Sequence, residues 1–148
     1  MLCGVLLILP ADPLAPRRPD GHFAREAHAA RDAGVPVALV DHDALGRRGE
    51  PDGAVRTVPA DTDAVYRGWM LRSEQYRAFA DALARRDVVL RTTAGHYRRA
   101  HELPGWYAAL RGVTPDSAWT VSGDRDAFDA CCERVGPGRL SCATTSGR

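Results

Sequence analysis

A strand and a helix meet in the segment Ala64-Val65-Tyr66-Arg67-Gly68-Trp69-Met70-Leu71-Arg72-Ser73-Glu74-Gln75-Tyr76. Its first three residues form a short apolar run, which predicts a buried strand that stops at Arg67-Gly68-Trp69. The hydroxyl of Ser73 is placed to cap a following helix, and Glu74 in the first turn suits the helix dipole. We therefore expect Arg67 to stand at the carboxyl end of a strand.

Similar apolar runs recur along the chain and alternate with helical patterns. The predicted strands of the main sheet are Val5–Leu9, Val37–Val40, Ala64–Gly68 and Val88–Arg91. The continuous run Val5–Leu9 is typical of a central parallel strand that is buried on both faces. A further short strand is predicted at Val55–Val58, and residues 46–53 before it are typical of an exposed loop. This alternation predicts an α/β fold with a Rossmann-like open, mainly parallel sheet and helices on both faces.

The helical patterns are read from caps and apolar spacing. Asp20 is placed to cap the first helix, in which Phe23, Ala27 and Ala30 recur on one side, and Gly34 stands where that helix should end. The helix after Ser73 has the clearest apolar stripe, made of Tyr76, Phe79, Ala80 and Leu83.

Two more helices are predicted in the last third of the chain. Thr93 caps one that runs through His101, and Pro104-Gly105 is expected to end it before an apolar turn of Trp106, Tyr107 and Leu110. Trp119-Thr120-Val121 begins a new element. The last helix spans about Arg125 to Arg134, with inward positions at Phe128, Cys131, Cys132 and Val135.

Composition limits the function classes. A chain of 148 residues is one domain by the usual size range, and a net charge of +1 gives no electrostatic case for nucleic acid. All basic residues are arginine, so the lysine that commonly holds ATP phosphates is missing. The four cysteines form no C-x-x-C motif, which indicates free thiols in a cytoplasmic protein. Val5–Leu9 is too short to span a bilayer, and no membrane partner is expected.

Most common site motifs are missing or weak. The loop Pro10–Pro16 has no closely spaced glycines, which argues against an ordinary NAD site although Asp41 stands where a ribose-binding acid would be. Asp41-His42-Asp43 suggests an acid–base or metal cluster, but neighbours at a strand end should point in different directions. His96 and His101 would lie on different helix faces. We assign no catalytic residue and no metal ligand from these patterns.

Arg67 is the leading candidate for ligand binding. Ligands of open α/β sheets collect outside the carboxyl ends of strands, and an arginine fork binds carboxylate or phosphate bidentately. The expected partner is therefore an anionic small molecule or a peptide carboxylate. The alternative is an arginine in a surface ion pair beside a tryptophan in the core.

Four segments resemble the N-terminal part of bacterial ATP-grasp domain proteins. They are Leu7-Ile8-Leu9-Pro10-Ala11-Asp12-Pro13, Val40-Asp41-His42-Asp43, Val65-Tyr66-Arg67-Gly68-Trp69-Met70-Leu71 and Tyr97-Arg98-Arg99-Ala100-His101-Glu102-Leu103-Pro104-Gly105-Trp106-Tyr107. The resemblance covers roughly residues 5–135 and is greatest to the subgroup with a Tyr-Arg-Gly-Trp-Met sequence in its leading domain.

The resemblance implies a three-part enzyme that activates a carboxylate as an acyl phosphate and joins it to an amine. Its leading, pre-ATP-grasp domain would correspond to residues 1–115, the start of an ATP-grasp segment to 116–138, and a disordered tail to 139–148. On this analogy Arg67 orients the anionic substrate, and Trp69 and Arg72 line the same edge. ATP and magnesium are implied for the complete protein, but the family's nucleotide lysines and magnesium carboxylates have no counterpart here. The expectation is a truncated chain, inactive alone.

Two other classes remain open: a freestanding α/β module that binds an anionic small molecule without catalysis, and a domain that only packs against a partner. The tail adds a hypothesis of its own. With GC-rich codons assumed, reading the tail from the last base of the Arg139 codon gives Ala-Val-Leu-Arg-Asp-Tyr-Val-Gly, which resembles a strand of ATP-grasp proteins. A frameshift near Arg139 would then explain the composition of Leu140–Arg148.

Overall fold

A four-stranded parallel sheet forms the centre of the amino-terminal part of the protein. The computed structural model describes residues 4–47, 51–120, 124–135 and 142–144, and the chain divides into two units, Met1–Ala94 and Gly95–Arg148. The strands are β1 (Leu6–Pro10), β2 (Val37–Val40), β3 (Thr62–Tyr66) and β4 (Val88–Leu90), in the order β2-β1-β3-β4. The predicted Rossmann-like α/β fold is confirmed, and so are the four main strands to within a few residues.

Register explains why β1 is central. Leu7 lies opposite Val37 of β2 on one side and opposite Val65 of β3 on the other. Ile8 and Leu9 are fully buried, since parallel strands inside a sheet are covered on both faces. Val65 is 38% exposed, so the prediction that Ala64–Tyr66 is buried throughout holds only for Ala64.

The helices of the first unit alternate with its strands. They are α1 (Ala24–Asp32), preceded by a 3-10 turn at Gly21–Phe23, α2 (His42–Gly46), α3 (Pro51–Ala54) and α4 (Ser73–Ala84). Phe23 and Ala27 pack against Leu9, which joins α1 to the sheet. In α4 three of the four predicted stripe residues are buried, Tyr76, Phe79 and Leu83, whereas Ala80 is half-buried and Ala82 is buried. Gly34 has a φ of 73°, a conformation that favours glycine at the end of a helix.

Two local predictions in this unit were wrong. Val55–Val58 form no strand; they follow α3 in a turn, and their apolar character reflects the burial of Val55 and Val58. Ser73 is the first residue of α4 and not its cap, because Arg72 occupies the cap position and its backbone N–H donates to Gln75 Oε1 at 2.9 Å. In the predicted loop 46–53, Pro51–Gly53 are helical, and residues 48–50 lie outside the described part.

The second unit contains α5 (Ala94–His101), α6 (Leu103–Leu110), α7 (Arg125–Val135) and a parallel pair of strands, β5 (Ala118–Thr120) and β6 (Cys142–Thr144). The predicted helix through His101 is confirmed by α5, but Pro104 and Gly105 lie in the first turn of α6 and not in a break between helices. Proline is tolerated there, since its missing N–H would have no helical partner. Trp106, Tyr107 and Leu110 are accordingly helical and do not form a separate turn.

The end of the chain matches its predictions in part. Cys131 is buried as predicted, whereas Phe128 is 42% exposed, and the side chain of Val135 lies outside the described part. Three residues of the predicted disordered tail form β6, and the rest of that tail is outside the description, as is Val121. In the part of the chain that is described, no helix combines the length and apolar character needed to cross a membrane.

Candidate functional site

An open cavity of about 290 Å³ lies at the carboxyl edge of the parallel sheet. Its walls come from the segments that follow β1, β2 and β3. In the order β2-β1-β3-β4, the chain leaves β1 towards one edge of the sheet and leaves β3 towards the other. Such a reversal opens a space between the two strands, which is where open α/β sheets bind ligands. We call this cavity the crevice.

The proline-rich segment after β1 forms one wall, and backbone hydrogen bonds hold it in place. Asp12 Oδ1 accepts from the N–H groups of Leu14, at 2.8 Å, and Ala15, at 3.1 Å. Asp20 caps the 3-10 turn, as the sequence predicted, by accepting from His22 N at 2.8 Å. These carboxylates therefore organise the loop while they also line the crevice.

The segment after β2 supplies the second wall. Asp41 is the amino-terminal cap of α2 and accepts from the N–H of Ala44 at 2.9 Å. The helix begins at once, so Asp41, His42 and Asp43 all line the crevice. The side chains of Asp41 and His42 nevertheless contact different partners, Ala44 N and the Tyr66 hydroxyl, although the sequence expectation assumed an extended strand end and the structure has a helix there. The signal was present in the sequence, because aspartate directly before a helix is a preferred cap.

His42 is held from the side of the sheet by Tyr66. Its Nδ1 lies 3.0 Å from the Tyr66 hydroxyl, which in turn donates to the carbonyl oxygen of Trp69 at 3.2 Å. Burial lowers the pKa of His42, while the carboxylates of Asp43, Asp20 and Asp41 act in the opposite direction. Desolvation is the larger effect, so the neutral imidazole is favoured relative to an ordinary histidine.

Trp69 forms the third wall and is one of the predicted site residues. Its indole Nε1 donates to Asp20 Oδ2 at 3.3 Å. The ring packs against His22 and Phe23, at 4.6 and 5.2 Å between centroids, and remains 42% exposed. An aromatic surface that is fixed on one side and open on the other can hold the apolar part of a ligand.

Arg67 stands at the carboxyl end of β3, where the sequence placed it, but it does not line the crevice. Its backbone N–H donates to Ile8 O at 2.9 Å. The guanidinium contacts Glu26 Oε1 at 3.1 Å and lies 5.8 Å from the centre of the Phe23 ring. Arg67 and Trp69 therefore both contact the ring of Phe23. Arg72, the third predicted residue, is exposed at the start of α4.

The charge of the crevice is negative. Four carboxylates line it, those of Asp12, Asp20, Asp41 and Asp43. Arg47 is the arginine in the described part of the lining, and its guanidinium lies 3.9 Å from the Asp41 carboxylate. Within the described residues, no group of three metal-ligating side chains is assembled. The crevice is thus suited to hydrogen-bond donors and positive charge more than to a free anion.

A second cavity, of about 550 Å³, lies within the carboxyl-terminal unit. It is lined by Tyr107 and Trp119, whose rings meet edge to face at 5.7 Å, and by Arg111, Asp116 and Arg134. It is larger but more open to solvent than the crevice, so the crevice is the more enclosed candidate.

Comparison with known proteins identifies no family. No known protein family, no curated protein and no solved structure matches the chain. What is established is therefore an α/β domain with a four-stranded parallel sheet of order 2-1-3-4 and an acidic, tryptophan-walled crevice at the carboxyl edge of that sheet.

Proposed function

We propose that this chain is the leading, small-molecule-binding domain of an ATP-grasp ligase-like protein. The complete protein would use ATP and magnesium to activate a carboxylate as an acyl phosphate and join it to an amine. The observation that carries the proposal is the crevice at the reversal between β1 and β3, which Trp69 lines two residues after Arg67. Such a location is the usual ligand site of an open parallel sheet.

Arg67 is the proposed holder of the substrate carboxylate. Its guanidinium already contacts the carboxylate of Glu26, so the side chain is oriented to bind a carboxylate. Both side chains are about half exposed, at 57% and 40%, and an exposed pair of this kind contributes about 0–1 kcal/mol. A ligand carboxylate with a bidentate contact can therefore replace Glu26 at little cost. Trp69 would cover the ligand beside it, and Arg72 would add positive charge at the same edge.

The ATP-binding step is assigned to the rest of the complete protein. Phosphoryl transfer needs cations on the transferred group, from lysine, arginine or magnesium. This chain has no lysine, and the crevice carries four aspartates, which repel a polyphosphate. We expect the purified chain to bind magnesium-ATP no better than about millimolar and not to hydrolyse it.

Isothermal calorimetry with magnesium-ATP checks this prediction, together with a phosphate-release assay. Arg67→Ala is the test variant, and Arg85→Ala is its matched control because Arg85 forms another exposed ion pair, with Asp52. Micromolar binding that Arg67→Ala abolishes and Arg85→Ala leaves intact would show a nucleotide site in this chain and contradict the proposal.

The alternative is a freestanding module that binds an anionic small molecule without catalysis. The second cavity favours it, because Arg111 and Arg134 supply positive charge beside two aromatic rings. The genomic DNA after codon 148 separates the two functions. An ATP-grasp coding sequence in any of the three forward frames supports the ligase-like protein, and its presence out of frame supports a frameshift near Arg139. Unrelated sequence in all three frames supports the freestanding module.

A further inference from the structure

The hydrogen bonds around Tyr66 favour one position for the proton of the neutral His42 ring. A tyrosine hydroxyl has one hydrogen, and that of Tyr66 is donated to the Trp69 carbonyl, which can only accept. The contact of 3.0 Å between the Tyr66 oxygen and His42 Nδ1 is satisfied together with the Trp69 contact when Nδ1–H is the donor, so the two contacts favour a proton on Nδ1. In a neutral imidazole with the proton on Nδ1, Nε2 carries a lone pair and is an acceptor.

The free nitrogen of His42 belongs to the crevice. Nδ1 is turned to Tyr66, which is not part of the crevice lining, whereas His42 itself is. Among the described residues, Nε2 has no hydrogen-bond partner. The crevice thus contains an imidazole acceptor in a fixed orientation, beside the open face of Trp69.

We propose that the crevice binds the amino group of a small-molecule ligand, with His42 Nε2 as the hydrogen-bond acceptor for that group. This inference rests on the proposed ligand-binding role of the crevice. The aspartates at positions 20, 41 and 43 attract an ammonium group, and Trp69 covers the carbon skeleton next to it.

The ligand donates an N–H to the lone pair of His42 Nε2 and keeps its proton. The aspartates at positions 20, 41 and 43 stabilise the ammonium form of the ligand, and burial favours the neutral imidazole by lowering the pKa of His42. Tyr66 is a positioning residue because it acts through His42.

The tautomer of His42 is tested first, by long-range ¹H–¹⁵N NMR on the full chain with ¹⁵N-labelled histidine at neutral pH. We expect a protonated Nδ1 and an unprotonated Nε2 for His42. In Tyr66→Phe the acceptor of Nδ1–H is gone, and the preference for this tautomer should fall. A wild-type spectrum with the proton on Nε2 overturns the inference, and this measurement depends on no variant and on no ATP experiment.

The ligand class is tested with two probes that share a phenyl ring and carry opposite charges, benzylammonium and benzoate. Benzylammonium should shift the signal of His42 Nε2, and benzoate should not. The Trp69 indole does not discriminate between the probes, because a carboxylate held at Arg67 would lie beside it as well. His42→Asn retains a donor near the position of Nδ1 and removes Nε2, so it should weaken benzylammonium binding about tenfold or more. His28→Asn is the control, because His28 is exposed on α1 and pairs with Asp32.

Each remaining outcome is decisive for the amine. Equal or stronger binding of benzoate would overturn the proposal in favour of an anionic ligand in the crevice. Unchanged benzylammonium affinity in His42→Asn would overturn the role of Nε2. Neither result bears on whether an ATP-grasp sequence follows codon 148, so failure here is separate from failure of the proposed ligase-like function.

Discussion

At the scale of single residues, Gly68 controls the arrangement around His42. A Cβ atom at Gly68 would lie 2.7 Å from Tyr66 Cε2 and nearer still to its hydroxyl. The Tyr66 ring cannot move away easily, because it packs against Phe79 with 5.1 Å between ring centroids and its hydroxyl bonds to His42. The glycine in Tyr66-Arg67-Gly68-Trp69 is therefore explained by close packing, and no positive φ is needed.

We expect Gly68→Ala to lower the free energy of unfolding by about 1–3 kcal/mol, the usual cost of overpacking, and to shift the NMR signals of His42. Urea denaturation measures the first effect. Gly53→Ala is the control, since Gly53 lies in helix α3 with open space around it, and there alanine should be neutral or stabilising by about 0.4–1 kcal/mol. Equal midpoints for the two variants would show that Gly68 does not constrain Tyr66.

The residue types of the site were visible in the sequence, but their grouping was not. The sequence places Trp69 near a strand end, and it lines the crevice. An extended strand end would separate the neighbours of His42, whereas the immediate start of α2 brings them to one cavity. Arg67 was placed correctly at the end of β3, yet its contact with Glu26 joins residues 41 positions apart. Spacing along one segment cannot reveal a pair of that kind.

At the scale of elements, the corner between α5 and α6 depends on Gly105. A Cβ atom there would lie 2.7 Å from both Cα and O of Arg99, which are backbone atoms and cannot rotate away. Helix α6 therefore starts beside α5 because residue 105 has no side chain. The segment Leu103-Pro104-Gly105 combines a proline suited to a first turn with a glycine required by contact.

Gly105→Ala should accordingly destabilise the carboxyl-terminal unit by about 1–3 kcal/mol through overpacking. Amide hydrogen exchange locates the effect, which we expect as faster exchange in α5 and α6 with little change in β1–β3. Gly112→Ala is the matched control in the same unit, because a Cβ atom at Gly112 meets nothing within 4 Å. Unchanged protection of α5 and α6 in Gly105→Ala would contradict this account of the corner.

Elements differ in how well a sequence predicts them. The long apolar runs of β1–β4 and the stripe of α4 were predictable because burial selects a period of two or 3.6 residues. Val55–Val58 shows the limit, since a four-residue segment with a valine at each end fits either a strand or a buried turn. Pro104 shows another, since proline marks both the end of one helix and the first turn of the next.

At the scale of the whole molecule, net charge conceals the chemistry of the site. The chain carries +1 overall, yet its best-formed cavity is lined by four aspartates and one arginine. The negative charge of these aspartates is balanced by arginines elsewhere in the chain. A total charge excludes classes of partner that need a strong overall field, but local charge decides which small molecule binds.

The division of the chain into two units leads to a last prediction, on residues 1–94 alone. This unit contains the complete four-stranded sheet, its own buried core and all residues of the crevice. We expect the fragment to unfold cooperatively in urea and to retain the His42 tautomer of the full chain. Its last strand is secured by the buried side chains of Val88 and Leu90, and by the Tyr76 hydroxyl, which donates to Thr92 O at 2.8 Å. A fragment of residues 1–86 lacks these contacts and should be largely unfolded, because Leu83 and Phe79 lose their cover. Circular dichroism of the two fragments decides the matter: if residues 1–94 show no cooperative transition, the sheet needs the second unit, and the crevice cannot be a self-contained binding site.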